Sequence, residues 1–204
     1  MAQKRAKKPL ATAKPDKAGS LRIIAGAWRG RAIAVLPGDV IRPTSDRVRE
    51  ALFNKLAHAF KGFRFPGARI VDVFAGTGAL GLEALSRGAA QAVFFDRNRD
   101  AVELIKSNSA KLGAEDRALI MNADGAHLPR AVSACDLAFL DPPYSEGLIA
   151  PALAGLAIQG WLKPGALVSV ETDAGEVAPD SHGYTLLDRR DYGRTAITIL
   201  GYTP

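Results

Sequence analysis

Short apolar runs alternate with longer amphipathic stretches from Arg69 to the end of the chain. The runs predict β-strands near residues 69–74, 91–96, 117–122, 136–141 and 166–171, and the stretches between them predict helices near residues 79–87, 98–112 and 146–160. This alternation is typical of a doubly wound α/β fold, in which helices cover both faces of a parallel sheet. Two closing segments, residues 184–192 and 194–202, alternate apolar and polar positions and predict an antiparallel hairpin at the sheet edge.

The chain before this region carries other patterns. Residues 21–36 contain two apolar runs around a glycine-rich turn and predict a β-hairpin. Apolar positions then recur every four residues and predict an amphipathic helix that buries Val48, Leu52, Leu56 and Phe60. Residues 1–19 lack periodicity and are rich in Lys, Ala and Pro, so we expect a disordered basic tail. The predicted units are this tail, a hairpin and helix extension over residues 20–65, and a catalytic α/β domain over residues 66–204.

Length and composition exclude several classes of protein. With 204 residues, 48% of them hydrophobic, the chain suits one domain with an extension. No apolar run approaches the roughly 18 residues of a membrane span, and no apolar segment follows the basic N-terminus as in a secretory signal. The single cysteine, Cys135, excludes an internal disulfide and is interpreted as a core residue. We therefore expect a cytoplasmic monomer that binds no metal and no membrane.

The net charge of +6 is concentrated in the front quarter of the chain. Residues 1–20 hold six Lys or Arg and one Asp, and residues 21–49 hold six Arg and two Asp. This distribution suggests a polyanionic partner held at one end, and a solubilising tail is the alternative for residues 1–19. At the predicted hairpin tip, Trp28, Arg29 and Arg31 are candidates for RNA contact, although Trp28 could equally well pack the hairpin on the body.

The stretch from Arg69 to Leu85 predicts a sharp turn from a buried strand into a helix. Its loop reads AGTG, and Gly76 and Gly78 can adopt backbone angles closed to other residues while a ligand approaches the main chain. The following helix points unpaired N–H groups at that ligand. With Gly81, and with Asp96 at the end of the next strand, the loop also matches the dinucleotide fingerprint. It indicates a nucleoside-type cofactor without choosing which one.

Acidic residues follow the other strands at the same edge of the sheet. Asp96 ends the second strand and could accept both hydroxyls of a ribose. Asp124 follows the third strand and is placed to contact an adenine amino group, with Gly125 and Ala126 passing beneath the base. Each could instead cap a helix, but their convergence favours an adenosine pocket. Asp72, inside the first strand, needs a partner because desolvating a lone carboxylate is costly.

The fourth strand ends in Asp141, Pro142, Pro143 and Tyr144, and this tetrapeptide indicates the reaction. Two successive prolines fix the backbone and remove two N–H donors, which leaves carbonyl acceptors beside the Asp141 carboxylate. Such a cluster can hold the protons of an exocyclic amino group on a base and align its nitrogen lone pair with an electrophile. Tyr144 adds a flat face on which the base can stack. We interpret these four residues as the catalytic group.

VDVFAGTGALGLEAL and LDPPY resemble motifs I and IV of S-adenosylmethionine-dependent amino-methyltransferases. RIIAGAWRGR followed by RPTSDRVREALFN is similar to the RsmD family, bacterial enzymes that methylate the N2 amine of a guanine in 16S ribosomal RNA. The resemblance runs from about Leu21 to Leu200. It implies a Rossmann-like methyltransferase fold with a mostly parallel seven-stranded sheet, a C-terminal antiparallel hairpin and a small N-terminal extension.

The resemblance also implies the cofactor, the partner and the site residues. S-adenosylmethionine would be the cofactor, and 16S rRNA within the 30S subunit or its precursor would be the partner. Asp141 through Tyr144 would hold the guanine. The residues that would line the cofactor site are Asp72, Phe74, Gly76, Thr77, Gly78, Asp96, Arg97, Asp124, Gly125, Ala126 and Asp141. The residues that would face cofactor or RNA are Trp28, Arg29, Arg31, Arg42 and Arg47.

Three other functions remain open at this point. A DNA adenine-N6 methyltransferase uses the same motif IV, but the chain has no insertion long enough for a target-recognition domain. A methyltransferase for another RNA or for a protein glutamine amide is the second alternative, and the basic front favours RNA. A non-enzymatic RNA-binding module would explain the charge but not the pocket.

Overall fold

The computed structural model describes residues 21–36, 44–143, 146–176 and 181–204. The predicted tail over residues 1–19 and two of the candidate site residues, Arg42 and Tyr144, lie outside the described residues. None of the helices in the described part of the chain has the length and apolar character needed to cross a membrane.

Within these residues one large sheet organises the molecule. Its strands are β3 (Arg69–Val73), β4 (Gln91–Asp96), β5 (Ala118–Asn122), β6 (Cys135–Leu140), β7 (Leu162–Asp173), β8 (Tyr184–Tyr192) and β9 (Thr195–Tyr202). Their order is β5-β4-β3-β6-β7-β9-β8. Neighbours from β5 to β7 are parallel, and β9 is antiparallel to both β7 and β8. The predicted Rossmann-like sheet with its closing hairpin is thereby confirmed.

The described helices are α1 (Thr44–His58), α2 (Ala79–Ser86), α3 (Arg99–Leu112) and α4 (Ile149–Ile158). They cover both faces of the sheet and create two apolar cores. One core contains side chains of α1, α2 and α3, and the other contains side chains of α4. Cys135 is fully buried in the second core, as expected, and burial raises the pKa of its thiol to about 12.

The strand predictions hold to within a residue at most ends, and β7 is the exception. It begins at Leu162 rather than near residue 166, and it includes Pro164 and Gly165. The strand accommodates them because its register against β6 shifts between Cys135 and Leu137. Such an irregularity relieves the ladder of the hydrogen bond that proline cannot donate.

The sheet order creates a topological switch point. From β3 the chain proceeds to β4 and β5 on one side, whereas β6 lies on the other side of β3 and leads to β7. The loops after β3 and β6 therefore diverge and leave a crevice between them at the carboxyl ends of the strands. Ligands of open α/β sheets bind in such crevices.

The N-terminal hairpin is shorter than its pattern suggested. Only β1 (Leu21–Arg22) and β2 (Ala32–Ile33) pair, and the turn between them lies on α2. Glu83 of α2 is fully buried, and its carboxylate accepts hydrogen bonds from the amides of Ile24 at 2.7 Å and Ala25 at 3.1 Å. A buried side chain of the body thus satisfies the backbone of the extension.

A second buried polar residue joins the extension to the loop after β3. The Asn108 side chain of α3 accepts a hydrogen bond from the Ala34 amide at 2.9 Å and donates one to the Ala34 carbonyl at 3.0 Å. It donates another to the Thr77 carbonyl at 3.0 Å. Asn108 is fully buried, so these bonds are shielded from water. The Asn108 side chain therefore holds both the extension and the glycine loop in place.

Candidate active site

A cavity of about 340 Å³ lies in the crevice at the carboxyl ends of the strands. Its wall combines the extension with four strand ends, and the lining residues are Leu21, Val48, Arg49, Leu52, Asp72, Phe74, Ala75, Gly76, Thr77, Ala79, Leu80, Asp141, Glu171, Thr195 and Ile197. The volume lies within the range of roughly 300–1,000 Å³ that is typical of small-molecule and cofactor pockets. The charged side chains in this mainly apolar lining are three carboxylates and the Arg49 guanidinium. The excess of carboxylates suits a ligand that carries positive charge.

The glycine loop after β3 forms one side of this cavity. Gly76 has φ +53°, and a side chain at its position would meet nothing within 4 Å. Its amide donates to Asp96 Oδ2 at 2.8 Å, which ties the loop to the end of β4. Gly78 has φ +77° and leads into α2. The predicted turn is confirmed, and the loop leaves space on its open side where a ligand can approach the main chain.

Asp72 contributes a buried carboxylate to the cavity wall. Its residue is 1% exposed, and Oδ2 accepts a hydrogen bond from the Gly81 amide at 2.9 Å. Burial raises the pKa of Asp72 to about 8, and the Gly81 hydrogen bond opposes this shift. Gly81 allows the contact because a Cβ there would lie 2.2 Å from the Phe94 ring. A cation bound beside Asp72 would favour its ionised form.

Asp96 and Asp124 lie beside the cavity rather than in its wall. Asp96 accepts hydrogen bonds from the amides of Gly76 and Asn98, each at 2.8 Å, and its oxygens retain lone pairs for further donors. The loop that carries Asp124 reaches Asp96 through the Ala123 amide, which donates to the Asp96 carbonyl at 3.1 Å. The His127 hydrogen bond lowers the pKa of Asp124, which is therefore held as an acceptor.

The Phe74 ring packs closely against Gly125, and this contact explains the glycine at that position. Phe74 is the one described non-glycine residue with a positive φ, at 65°, and it lines the cavity. A Cβ on Gly125 would lie 2.4 Å from the Phe74 ring. Gly125 is therefore needed for the packing of Phe74, which the sequence pattern did not show.

Two other predicted cofactor residues, Ala126 and Arg97, make contacts near the cavity. Ala126 donates its amide to Asp124 Oδ1 at 3.0 Å. Arg97 forms an exposed ion pair with Glu146 at 3.3 Å.

Asp141 lines the same cavity as the glycine loop. It follows directly on β6, in which Leu140 pairs with Val170 of β7. Pro142 is buried and Pro143 is exposed. The fold thus brings together five of the predicted site residues in one cavity wall: Asp72, Phe74, Gly76, Thr77 and Asp141.

Arg49 and Glu171 are site residues that the sequence reasoning missed. Arg49 is 6% exposed and donates to Asp46 Oδ1 at 3.0 Å, while burial lowers the pKa of its guanidinium. Glu171 comes from the carboxyl-terminal part of β7 and lines the cavity together with Thr195 of β9. A signal for Glu171 was present, because this acidic residue ends the fifth predicted strand as Asp96 ends the second.

The predicted RNA contacts at the hairpin tip are only partly accessible. Trp28 is 8% exposed and packs on the body, with the Arg117 guanidinium 5.0 Å from its ring centre. The prediction that Trp28 stacks on RNA is therefore wrong, and the alternative of packing holds. The Arg31 guanidinium donates to the Lys111 and Leu112 carbonyls at the end of α3. Arg29 and Arg47 are exposed and remain candidates.

Known proteins resemble this chain over most of its length. A family model described as conserved hypothetical protein 95 matches residues 21–201. The ribosomal RNA small subunit methyltransferase D of Haemophilus influenzae is 37% identical over 183 residues, which cover 88% of this chain and 92% of that protein. The protein of the same name from Escherichia coli strain K12 is 40% identical over 162 residues, covering 78% and 79%. The solved structure of Escherichia coli yhhF superimposes with a TM-score of 0.77 at 36% identity, covering 91% of this chain and 99% of that one.

Proposed function

Because this chain belongs to the RsmD family, we propose that it methylates the N2 amine of a guanine in small-subunit ribosomal RNA, with S-adenosylmethionine as methyl donor. The observation that carries this proposal is that the glycine loop and Asp141 line the same cavity. One side suits a nucleoside-type cofactor, and the other suits an exocyclic amine. A hydride-transfer enzyme has no use for a carboxylate followed by two prolines at that position.

The residues present fit the proposed cofactor. Asp72 and Asp141 place two carboxylates in the wall, and both suit a ligand with a cationic sulfonium and ammonium group. Gly76 leaves open space beside the main chain, and Asp96 retains lone pairs for ribose hydroxyls. S-adenosylmethionine, when bound, supplies an electrophilic methyl group on a positively charged sulfur.

The proposed work of the protein is to position the amine and to receive its proton. Asp141 and the Pro142 carbonyl accept hydrogen bonds from the N2 protons of a guanine that has left its stack, and Tyr144 stacks on the base. These contacts align the nitrogen lone pair with the methyl group that bound S-adenosylmethionine would supply, its sulfur leaving as a neutral thioether. Asp141 then accepts the proton that the methylated nitrogen releases. Prior deprotonation of the amine is unnecessary.

We propose the RNA partner on two grounds, the charge distribution along the chain and the membership of the RsmD family. The first 49 residues hold twelve Lys or Arg and three Asp, whereas the remaining residues hold fifteen Lys or Arg and eighteen Asp or Glu. The net positive charge therefore lies in the first 49 residues, and phosphate contacts supply much of the affinity of proteins for nucleic acids. Exposed Arg29 and Arg47 lie in this part of the chain. We propose that the substrate is 16S rRNA in the assembled 30S subunit or its precursor.

The direct test is tritium transfer from labelled S-adenosylmethionine to 30S subunits that lack the modification, with naked rRNA and duplex DNA alongside. Label on a guanine N2 of the subunit is the expected result. Label only on a DNA adenine would support the adenine-N6 alternative, and no label with any of the three would contradict the proposal.

Substitution of Asp141 tests its role. Asp141→Ala should lower turnover by at least about 1,000-fold, because the amine loses both its alignment and its proton acceptor. Cofactor affinity should fall far less than turnover, because the other residues of the cofactor site remain, and titration calorimetry measures affinity separately from turnover. Asp116→Asn, at an exposed position of a 3-10 turn, is the matched control. Retained turnover in Asp141→Ala would refute the assignment.

A further inference from the structure

Two acidic residues occupy equivalent positions on neighbouring strands. Leu140 of β6 pairs with Val170 of the parallel strand β7, so Asp141 and Glu171 are the next residues on each. Adjacent strands lie about 4.8 Å apart. The carboxylate that we assign to the amine therefore has a second carboxylate as its neighbour in the sheet.

Both acidic side chains point to the same face of the sheet. Leu140 and Val170 belong to the core on the α4 face, and successive strand residues alternate between faces. Asp141 and Glu171 accordingly lie on the opposite face, and both line the cavity. Ile197, which pairs with Glu171 across β7 and β9, supplies an apolar wall beside them.

We propose that Glu171 recognises the target base by accepting the N1–H of guanine while Asp141 holds the adjacent N2 amine. This inference rests on the proposed function and adds its base specificity. The Watson–Crick edge of guanine presents N1–H and the N2 amine side by side, and an ionised carboxylate is an acceptor only. Adenine presents a lone pair at N1, which would face the Glu171 carboxylate without a proton between them.

In this proposal Glu171 determines which base is selected, which the DPPY motif alone does not. An acidic residue followed by two prolines can hold the exocyclic amine of adenine or of guanine. A site that accepts a hydrogen bond from a substrate N–H rejects an analogue that presents a lone pair at the same position, because two acceptors would then face each other without a proton between them. The second carboxylate therefore selects guanine.

The experiment exchanges the donor at N1 while keeping the N2 amine. The methylated nucleotide is first located in unmodified 30S subunits with the native protein. Subunits are then reconstituted with guanine or 2-aminopurine at that position, since 2-aminopurine has the N2 amine but an acceptor at N1. Native protein should prefer guanine by at least about 100-fold in kcat/KM.

Glu171→Gln should reduce this preference at least 10-fold, because the glutamine amide can donate to N1 of 2-aminopurine. Glu171→Asp, which keeps the acceptor, should retain the preference even if turnover falls. Glu103→Gln, exposed on α3, is the matched control and should leave the ratio unchanged. A cofactor affinity and an unfolding midpoint close to native would show that Glu171→Gln is folded.

The outcomes separate the two proposals. If the native protein methylates a guanine N2 but Glu171→Gln keeps the native ratio, the role of Glu171 is refuted and the proposed function stands. If the native protein methylates no guanine N2, the proposed function fails and the role of Glu171 fails with it.

Discussion

Two glycine turns in this protein have similar backbones and opposite surroundings. Gly26 in the N-terminal hairpin has φ +82°, and Gly76 in the loop after β3 has φ +53°. A Cβ on Gly26 would lie 1.9 Å from the Ser86 carbonyl oxygen, whereas a Cβ on Gly76 would meet nothing within 4 Å. The first turn is pressed against the backbone of α2, and the second faces a cavity. A glycine pattern shows that a turn is needed but not what faces it.

The polar side chains around each turn explain the difference. In the hairpin, Ser86 accepts from the Trp28 amide at 3.0 Å and donates to the Ala25 carbonyl at 2.6 Å, and Glu83 accepts from two further amides. These bonds hold the turn against α2. The loop after β3 is held instead from behind, by Asp96 and Asn108. The first arrangement closes an interface, while the second leaves the other side of the loop open to the cavity.

The largest loss of stability is expected at Gly26. Gly26→Ala should lower the free energy of unfolding by roughly 3 kcal/mol, because strain at positive φ adds to overlap with the α2 backbone. Gly30→Ala is the matched control, since Gly30 also has φ +82° but nothing within 4 Å of its Cβ position. It should lose only about 1 kcal/mol. Equal losses of unfolding free energy in denaturant titrations of the two variants would show that close packing of Gly26 on α2 adds nothing to stability.

A pH-dependent effect is expected at Asp72 behind the glycine loop. Between its ordinary pKa of 3.8 and its raised pKa of about 8, the carboxyl is neutral in the folded state and ionised in the unfolded state. The unfolded state therefore binds fewer protons, so this group makes stability fall as pH rises through that window, and its contribution levels off above pH 8. Asp72→Asn should remove a slope on the order of 1 kcal/mol per pH unit.

The measurement is the unfolding free energy of both proteins from pH 5 to pH 9. The advantage of Asp72→Asn over the native protein should grow up to about pH 8. The same substitution should weaken S-adenosylmethionine binding, most of all above pH 8, where the native carboxylate is ionised. A constant difference across the series would mean that Asp72 does not titrate in this window.

The smallest effect on stability is expected at Gly76. Gly76→Ala should cost only about 1 kcal/mol, because its Cβ has room although φ is positive. Cofactor affinity should nevertheless fall at least about 10-fold, since the methyl group occupies the space beside the main chain. Gly113→Ala, with φ +70° and an open Cβ position at the end of α3, is the control. Equal affinities of the two variants in calorimetry would contradict a ligand at Gly76.

Local patterns were sufficient for most of the fold. The alternation of short apolar runs and amphipathic stretches predicted β3 to β6 and α2 to α4 because burial on a sheet or helix face imposes a period on the sequence. The glycine loop was predictable because positive φ at Gly76 and Gly78 leaves glycine as the residue of choice. Asp141 was found because the ends of parallel strands meet at one edge.

Tertiary structure decided which of these residues share a surface. Trp28 and Arg31 carry an RNA-binding pattern. In the fold, however, Trp28 is buried and Arg31 donates a hydrogen bond to the Leu112 carbonyl at the end of α3. The contacts that Glu83 and Asn108 make with the extension have no local signature, since the backbone groups that they bind there lie more than 30 residues away along the chain. Glu171 joins Asp141 only through the register of β6 and β7. Periodicity records whether a side chain is buried, but contacts between distant segments depend on the packing of the whole chain.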